Sequence, residues 1–216
     1  MLDVIIIGAG GHAAEIVEYI NCSYDTAVDE SLRILGLIDD NPDSYERYHF
    51  SAPYLGTIKG HEVKGDVNYI IGIANLTYRK TIVERFLQSG AEFVTIVHKN
   101  AYLSPSSFIG NGVVIGPYVN IGPNVRVGNF NLLNSRCSLG HDTLIGDYNF
   151  ISPNVSFSGG TVIGDNNLFG INAATIPNIV VGNNNKIAAG MVLNKSIGNN
   201  EVVFFRYKEK VIAIPK

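Results

Sequence analysis

Residues 108–128 read FIGNGVVIGPYVNIGPNVRVG, and their aliphatics Ile109, Ile115, Ile121 and Val127 fall six residues apart. The step runs on in both directions. Leu103 precedes it, and Leu133, Leu139, Ile145, Ile151, Phe157, Ile163, Phe169, Thr175, Val181, Ile187 and Leu193 follow without a slip in register. Thr175 alone in this series is not large and apolar, a single exception that a long row tolerates. A helix of period 3.6 cannot keep one face at a strict six-residue step. A flat sheet would need turns at irregular places. A hexapeptide repeat of this kind marks a parallel β-helix, in which each short strand points one side chain into a shared core.

A second period sits on the first. Gly110, Gly128, Gly146, Gly164 and Gly182 are 18 residues apart, each after Ile or Val and before Asn or Asp. A corner that needs a tight backbone therefore recurs every three hexapeptides. One coil has three sides, and the stretch supports about five coils. Each coil buries its aliphatic ring on the next, so stability approximates a sum over neighbours. One such side chain contributes roughly 1.5–3 kcal/mol.

Before about Val97 the texture differs. Val4–Ile7, Ile34–Ile38, Tyr69–Ile73 and Phe93–Val97 read as strands. His12–Ile20 reads as a helix with Ala13, Ile16, Val17 and Ile20 on one face, and Thr77–Ser89 as a second with Ile82, Val83, Phe86 and Leu87 inward. Gly90 is placed to cap the latter. Strand–helix–strand order predicts a small parallel sheet with helices on its faces. Residues 40–67, with Pro42, Pro53 and scattered charges, carry no regular pattern. The expected organisation is an α/β Rossmann-like domain over residues 1–98 and an all-β parallel β-helix with a C-terminal tail over residues 99–216.

The chain of 216 residues is long enough for a sizeable core, as one large domain or two small ones. A formal net charge of −3 supplies no basic footprint for nucleic acid. No apolar run reaches the roughly 18 residues that span a bilayer. The run Val4–Ile7 lacks a basic lead-in and enters glycines, so it reads as a buried strand and not a signal peptide. Cys22 and Cys137 stand far apart in no metal spacing. A reducing, cytoplasmic setting without a metal is the simplest reading.

Gly8-Ala9-Gly10-Gly11-His12-Ala13 follows a strand and opens a helix, and it fits G-x-G-x-x-A. Glycines let backbone N–H groups approach a pyrophosphate, and the helix N-terminus favours its charge. Asp39 follows the second strand, where an acid meets a ribose hydroxyl. The motif alone would suggest NAD, but about four strands are too few for the full dinucleotide fold.

The hexapeptide repeat from Leu103 to Leu193 resembles the left-handed β-helix of the hexapeptide acyltransferases. Joined to Ile7-Gly8-Ala9-Gly10-Gly11-His12, it resembles one branch, the PglD-type nucleotide-sugar N-acetyltransferases together with the sialic acid O-acetyltransferases. The resemblance covers most of the chain. It implies the left hand of the coil, a homotrimer and acetyl-CoA as co-substrate. It further implies that Gly10, Gly11, His12, Asp39 and Asp40, with Ala74 and Asn75 after the third strand, hold the nucleotide of a nucleotide-linked amino sugar. His141-Asp142 stands where the family has a His-Glu pair, the His being the general base and the acid its partner. An amine attacking a thioester must shed a proton, and an imidazole suits that at neutral pH. Asp142 is one methylene shorter than Glu, which leaves open a direct, backbone or water-mediated contact to the ring.

Asn134 matches an Asn near the sugar in the family, and is equally an asparagine-ladder residue inside the coil. Gly170-Ile171 and Ala189-Gly190 match positions along the pantetheine arm, or are ordinary turn and core residues. Phe150 departs from the family's coenzyme-binding His, so that contact is not carried over. The family's Gly-x-Pro-Ala-Lys ending is here Val203-Phe204-Phe205-Arg206-Tyr207-Lys208, followed by a strand-like Val211–Ile214. Lys195, Arg206, Lys208 and Lys210 could still meet the coenzyme's phosphates. The expected activity is acetyl transfer to a sugar amine, at C4 in the family. Two other readings stand beside it: an O-acetyltransferase acting on sialic acid or another glycan sugar, and a non-catalytic β-helix scaffold.

Overall fold

The computed structural model describes residues 1–21 and 32–205. Cys22, Arg206, Lys208, Lys210 and the strand expected at Val211–Ile214 lie outside the described residues.

The first unit is a four-stranded parallel sheet of order β2-β1-β3-β4, with β1 at Leu2–Ile7, β2 at Leu32–Ile38, β3 at Asn68–Ile71 and β4 at Glu92–Phe93. Helix α1 (Gly11–Asn21) follows β1, and helix α3 (Leu76–Gln88) follows β3. Alternation along β1 decides the layers. Val4 and Ile6 join one apolar cluster with Ala13, Ile16 and Val17 of α1, while Ile5 and Ile7 join another with Val83 and Phe86 of α3. Asn75 caps α3 by accepting from the N–H groups of Thr77 and Tyr78. Gly90, at φ +84°, ends it as expected. Leu87 is exposed instead of inward, and Arg79 takes a buried place on that helix. The unassigned stretch holds a short helix, α2 (Pro42–Glu46), capped by Asn41.

The second unit is a parallel β-solenoid of about six turns, the expected left-handed β-helix. Its three faces carry seven, six and five two-residue strands. Face one begins at Ile96–Val97, face two at Tyr102–Leu103 and face three at Phe108–Ile109. The strand expected at Phe93–Val97 is thus divided between two sheets: Phe93 pairs with Tyr69, whereas Val97 pairs with Ile115. Five coils become about six for the same reason. Val97 already stands six residues before Leu103, and Val203 closes the far end opposite Ile187. That last coil spans 16 residues where the others span 18, so a strict step misses it.

The inward positions form one apolar column, and every sixth residue from Gly112 to Gly190 has φ between 54° and 71°. The period-18 glycines serve close approach, not left-handed φ. A Cβ on Gly128 would fall 2.7 Å from the carbonyl oxygen of Gly146 in the next coil. From Gly128 on, the Asn or Asp after each of them accepts the N–H one coil back: Asn129 from Asn111, Asp147 from Asn129, Asp165 from Asp147 and Asn183 from Asp165. Inside this corner a second ladder, Asn131, Asn149, Asn167 and Asn185, is fully buried and hydrogen-bonded coil to coil.

The two units share their cores. Ile96, Val114 and Leu132 of face one, with half-buried Phe150 beside them, pack into the cluster of α1. Phe130, with Tyr148 against it, packs into the cluster of α3 from the corner between faces three and one.

Candidate functional site

His141 and Asp142 occupy the corner between faces two and three, after Ser138–Leu139 and before Leu144–Ile145. Neighbouring coils fix the backbone there: the Asp142 N–H donates to Pro123 O at 2.9 Å, and the Gly160 N–H donates to His141 O at 2.9 Å. Asp142 is the left-handed residue of the corner, at φ 59°, a conformation that Asp and Asn tolerate better than most. Its side chain folds back on its neighbour, with His141 Nδ1 and Asp142 Oδ2 2.8 Å apart. The contact left open by the shorter acid is therefore direct. Asn124, one coil earlier, donates from Nδ2 to Asp142 Oδ1 at 3.1 Å. The His141 contact first, and then the Asn124 amide, hold the Asp142 carboxyl below the ordinary carboxylate range.

An ionised carboxylate can only accept, so the Nδ1 of a neutral ring beside it carries the proton. Nε2 is then the bare nitrogen. That nitrogen lies over Gly159, 18 residues on, where an added Cβ would fall 2.5 Å away. The His141 side chain is 70% exposed above that glycine floor. The corner under the ring is held from within. Thr175 Oγ1 accepts the Ser158 N–H at 3.1 Å and shares a 2.9 Å hydroxyl contact with Thr161. The polar break in the repeat is therefore a hydrogen-bonding position behind Ser158-Gly159, which hydrophobic counting alone reads as tolerance.

The other expected positions are distributed as follows. Asn134, Gly170, Ile171, Ala189 and Gly190 line one corner, between faces one and two; Gly170-Ile171 and Ala189-Gly190 are in successive coils, and the coil of Ser152 separates them from Asn134. A Cβ on Gly170 would fall 2.5 Å from the Ala189 N–H nitrogen, and the Gly190 N–H donates to Ile171 O at 2.8 Å. Asn134 is half-buried there, a corner away from the internal ladder. Within one chain, face two separates this corner from His141. Phe150 points from face one into the joint with the α/β unit.

In the α/β unit, Gly8–His12 and Gly72–Asn75 meet at the C-terminal ends of β1 and β3. A Cβ on Gly8 would sit 2.9 Å from Ile73 Cγ1, and the Tyr48 hydroxyl lies over Gly11. Asp39 and Asp40 are already engaged. Asp39 accepts the N–H groups of Ala9 at 2.7 Å and Asn41 at 2.8 Å, and Asp40 accepts that of Lys59 at 3.0 Å. These bonds shape the glycine loop and leave further lone pairs on each acid. Ala74 is half-buried at the helix entry, and the Asn75 side chain is the α3 cap. A cavity of about 270 Å³ opens beside Gly10 and Gly11, walled by Asn41, Arg47 and Tyr48. Cys137 is buried, and burial pushes its thiol up to about 12, so it offers no thiolate. Among the described residues, no helix is long and apolar enough to cross a membrane.

Sequence reading had passed over Asn124, Gly159 and Tyr48. The first two could be found by writing the repeat in rows of 18, which sets Asn124 above Asp142 and Gly159 below His141. No comparable signal marks Tyr48.

Residues 3–86 match the PglD N-terminal domain, and residues 95–129 match the bacterial transferase hexapeptide. A UDP-N-acetylbacillosamine N-acetyltransferase of Bacillus subtilis is 32% identical over 117 residues, 53% of this chain and 51% of that protein. A GDP-perosamine N-acetyltransferase of Escherichia coli O157:H7 is 30% identical over 137 residues, 58% of this chain and 56% of that protein. The chain thus spans about half the length of the curated relatives it matches. Among solved structures, PerB from Caulobacter crescentus, in complex with CoA and GDP-perosamine, superposes with a TM-score of 0.80 at 22% identity over 93% of this chain and 92% of that one. The acetyltransferase domain of PglB from Neisseria gonorrhoeae gives 0.77 at 22% identity over 94% and 96%. At that identity the two structures establish the fold. In both halves, then, the chain resembles the hexapeptide-repeat nucleotide-sugar acetyltransferases, a PglD N-terminal domain joined to a transferase hexapeptide β-helix.

Proposed function

We propose that this protein transfers an acetyl group from acetyl-CoA to the amino group, at C4, of a nucleotide-linked amino sugar, with His141 as general base. The observation that carries the reading is the His141–Asp142 pair, 2.8 Å apart and exposed on a β-helix corner, in a chain whose other unit presents a glycine loop. The curated relatives' names, each an N-acetyltransferase of a nucleotide-linked sugar, favour an amine over a hydroxyl as acceptor.

The chemistry follows from the tautomer. Bare Nε2 takes a proton from the amine as its nitrogen bonds to the thioester carbonyl carbon. Asp142 stabilises the imidazolium that results. Collapse of the tetrahedral intermediate breaks the C–S bond, and the imidazolium returns its proton to the departing CoA sulfur. A base so placed contributes roughly 10²–10⁴-fold. The slim corner of Gly170, Ile171, Ala189 and Gly190 suits the pantetheine arm, and the Gly10–His12 loop suits the nucleotide.

The active assembly is a homotrimer. The α/β unit covers face one, whereas His141 lies at the opposite corner of the three-sided coil, so one chain does not bring glycine loop and base together. Face three offers the means of association: its outward positions run Phe108, Arg126, Leu144, Val162 and Val180, and Leu144, Val162 and Val180, 42%, 36% and 47% exposed, form a continuous apolar row with Phe108 beyond Arg126. Such a stripe calls for a partner.

The test is thiol release from acetyl-CoA against UDP-, dTDP- and GDP-linked 4-amino sugars and sialic acid. Turnover with one nucleotide-linked amine, and a loss of at least ~10²-fold in His141→Ala, is the expected result. Reaction with sialic acid alone would replace this reading by O-acetyl transfer. No thiol release with any acceptor would replace it by a non-catalytic role.

A further inference from the structure

Arg79 is fully enclosed in the first turn of α3, and its Nε, Nη1 and Nη2 have no hydrogen-bond partner among the described residues. A guanidinium carries five donors and stays charged at neutral pH. Burial pushes its pKa down to about 10, and of the titratable groups only Tyr148 acts the other way. A buried cation without an anion is strongly unfavourable. Among the described residues nothing supplies that anion.

A second group has the same defect. The His12 side chain is 8% exposed, and its Nδ1 lies 3.3 Å from Glu15 Oε2, but Nε2 is buried without a partner. Burial, with the Arg79 charge adding to it, lowers the His12 pKa, although Glu15 opposes the shift. The two residues belong to the first turns of helices that leave opposite faces of the sheet. Those turns flank the point between β1 and β3 where the strand order reverses. In open α/β sheets ligands bind at that crevice, beyond the carboxyl ends of the strands. The positive end of α1, 11 residues long, faces the same place. Phe130 and Tyr148 of the β-helix, stacked at 5.2 Å, pack into the α3 cluster, and Tyr148 lies within electrostatic reach of Arg79.

We propose that Arg79, with His12 Nε2, binds the diphosphate of a nucleoside diphosphate at the β1/β3 switch point. The identity of the ligand rests on the function proposed above, whereas the unpartnered guanidinium does not depend on it. Arg79 has no surface of its own in the free chain. Contact requires the groups that enclose Arg79 to part, and binding then pairs two buried groups that were left unsatisfied.

Calorimetric titration of the full chain with UDP, dTDP and GDP, and with uridine, thymidine and guanosine as phosphate-free controls, tests this. Arg79→Met keeps the volume and removes the charge. The expected result is a ~10–100-fold loss of diphosphate affinity with nucleoside affinity unchanged. The melting temperature of the free variant should hold or rise, because an unpaired buried charge has gone, while the rise induced by the diphosphate disappears. Equal diphosphate affinity in wild type and Arg79→Met overturns the inference and leaves the proposed function standing. A variant that melts lower yet binds diphosphate normally when folded assigns Arg79 a structural role and also overturns it. Wild type that binds none of UDP, dTDP and GDP removes both readings.

Discussion

Gly159→Ala separates a positioned base from a histidine that merely sits on a turn. The glycine is not in a left-handed conformation, so alanine fits its backbone. The three atoms nearest an added Cβ all belong to the His141 ring: Nε2 at 2.5 Å, Cε1 at 2.6 Å and Cδ2 at 3.0 Å. Ordinary contact needs about 3.5 Å, so the ring must withdraw by about 1 Å. It can do so cheaply, since it is 70% exposed. Stability should therefore hold, or rise by about 0.4–1 kcal/mol, because alanine restricts the unfolded chain. Activity should not hold. A displacement of about 1 Å at a reacting group costs on the order of 10²-fold. The assay is kcat/KM for thiol release beside a thermal melt, with His141→Ala as the floor. Full activity in Gly159→Ala with an unchanged melt would refute the placement of the base over this glycine, since a base tolerant of that shift is not held by the corner.

Four further outcomes follow from the same coordinates. Asp142→Asn keeps a residue suited to the left-handed corner but removes the charge that favours the protonated ring. The maximal rate of thiol release should fall. The depressed Asp142 carboxyl keeps its pair above the ordinary carboxylate range and loses it only as pH falls through the lowered value, so the contact is intact across pH 6–8. Asn149→Ala removes the acceptor of the buried Asn167 N–H and the donor to Gly164 O, which should cost about 2–4 kcal/mol in urea denaturation. Thr175→Val fits the repeat better by hydrophobicity yet strands the Ser158 N–H, so it should lower stability by about 1–3 kcal/mol; a more stable variant would show that the hydroxyl network behind Gly159 contributes nothing. If face three joins the proposed homotrimer, Val162→Asp with Leu144→Asp should leave only monomers by light scattering and abolish turnover, with the coil's circular dichroism retained.

How much of this was legible in the sequence depends on the range of the physics involved. The six-residue step is local, repeats many times and tolerates one polar exception, so the β-helix core could be read residue by residue. The strand at Val4–Ile7, the α1 face and the Gly90 cap were legible for a similar reason, since neighbours in sequence decide them. The reading failed where two distant segments decide. Val97 has the right residue for either sheet, and only its pairing with Ile115 assigns it to the solenoid. Leu87 continues an apolar helical stripe, but α3 has no neighbour there to cover it. Thr175 looked like a tolerated lapse because hydrogen bonds to Ser158 and Thr161, 17 and 14 residues away, do not register in a hydrophobic count.

The candidate site divides along the same line. His141-Asp142 can be singled out as a dipeptide, but what makes the pair specific is a glycine 18 residues ahead and an asparagine 18 residues behind. Asp142 shows why the dipeptide alone decides little. Its left-handed φ gives an aspartate a purely conformational reason to stand there, and Asn124, Asn154 and Asn178 hold the same place in other corners. Only the 2.8 Å contact to His141 distinguishes it from them. Arg79 is the converse case. In sequence it is one more charged residue on an amphipathic helix, with Lys80 and Glu84 close by to suggest a solvated face. Its burial follows from the β-helix corner that closes over α3, a contact between units that no helical period foretells. A charge forced inside without a partner is a cost that sequence cannot reveal and a ligand can remove, and for that reason the crevice at β1/β3 is the part of this molecule where binding experiments have the most to decide.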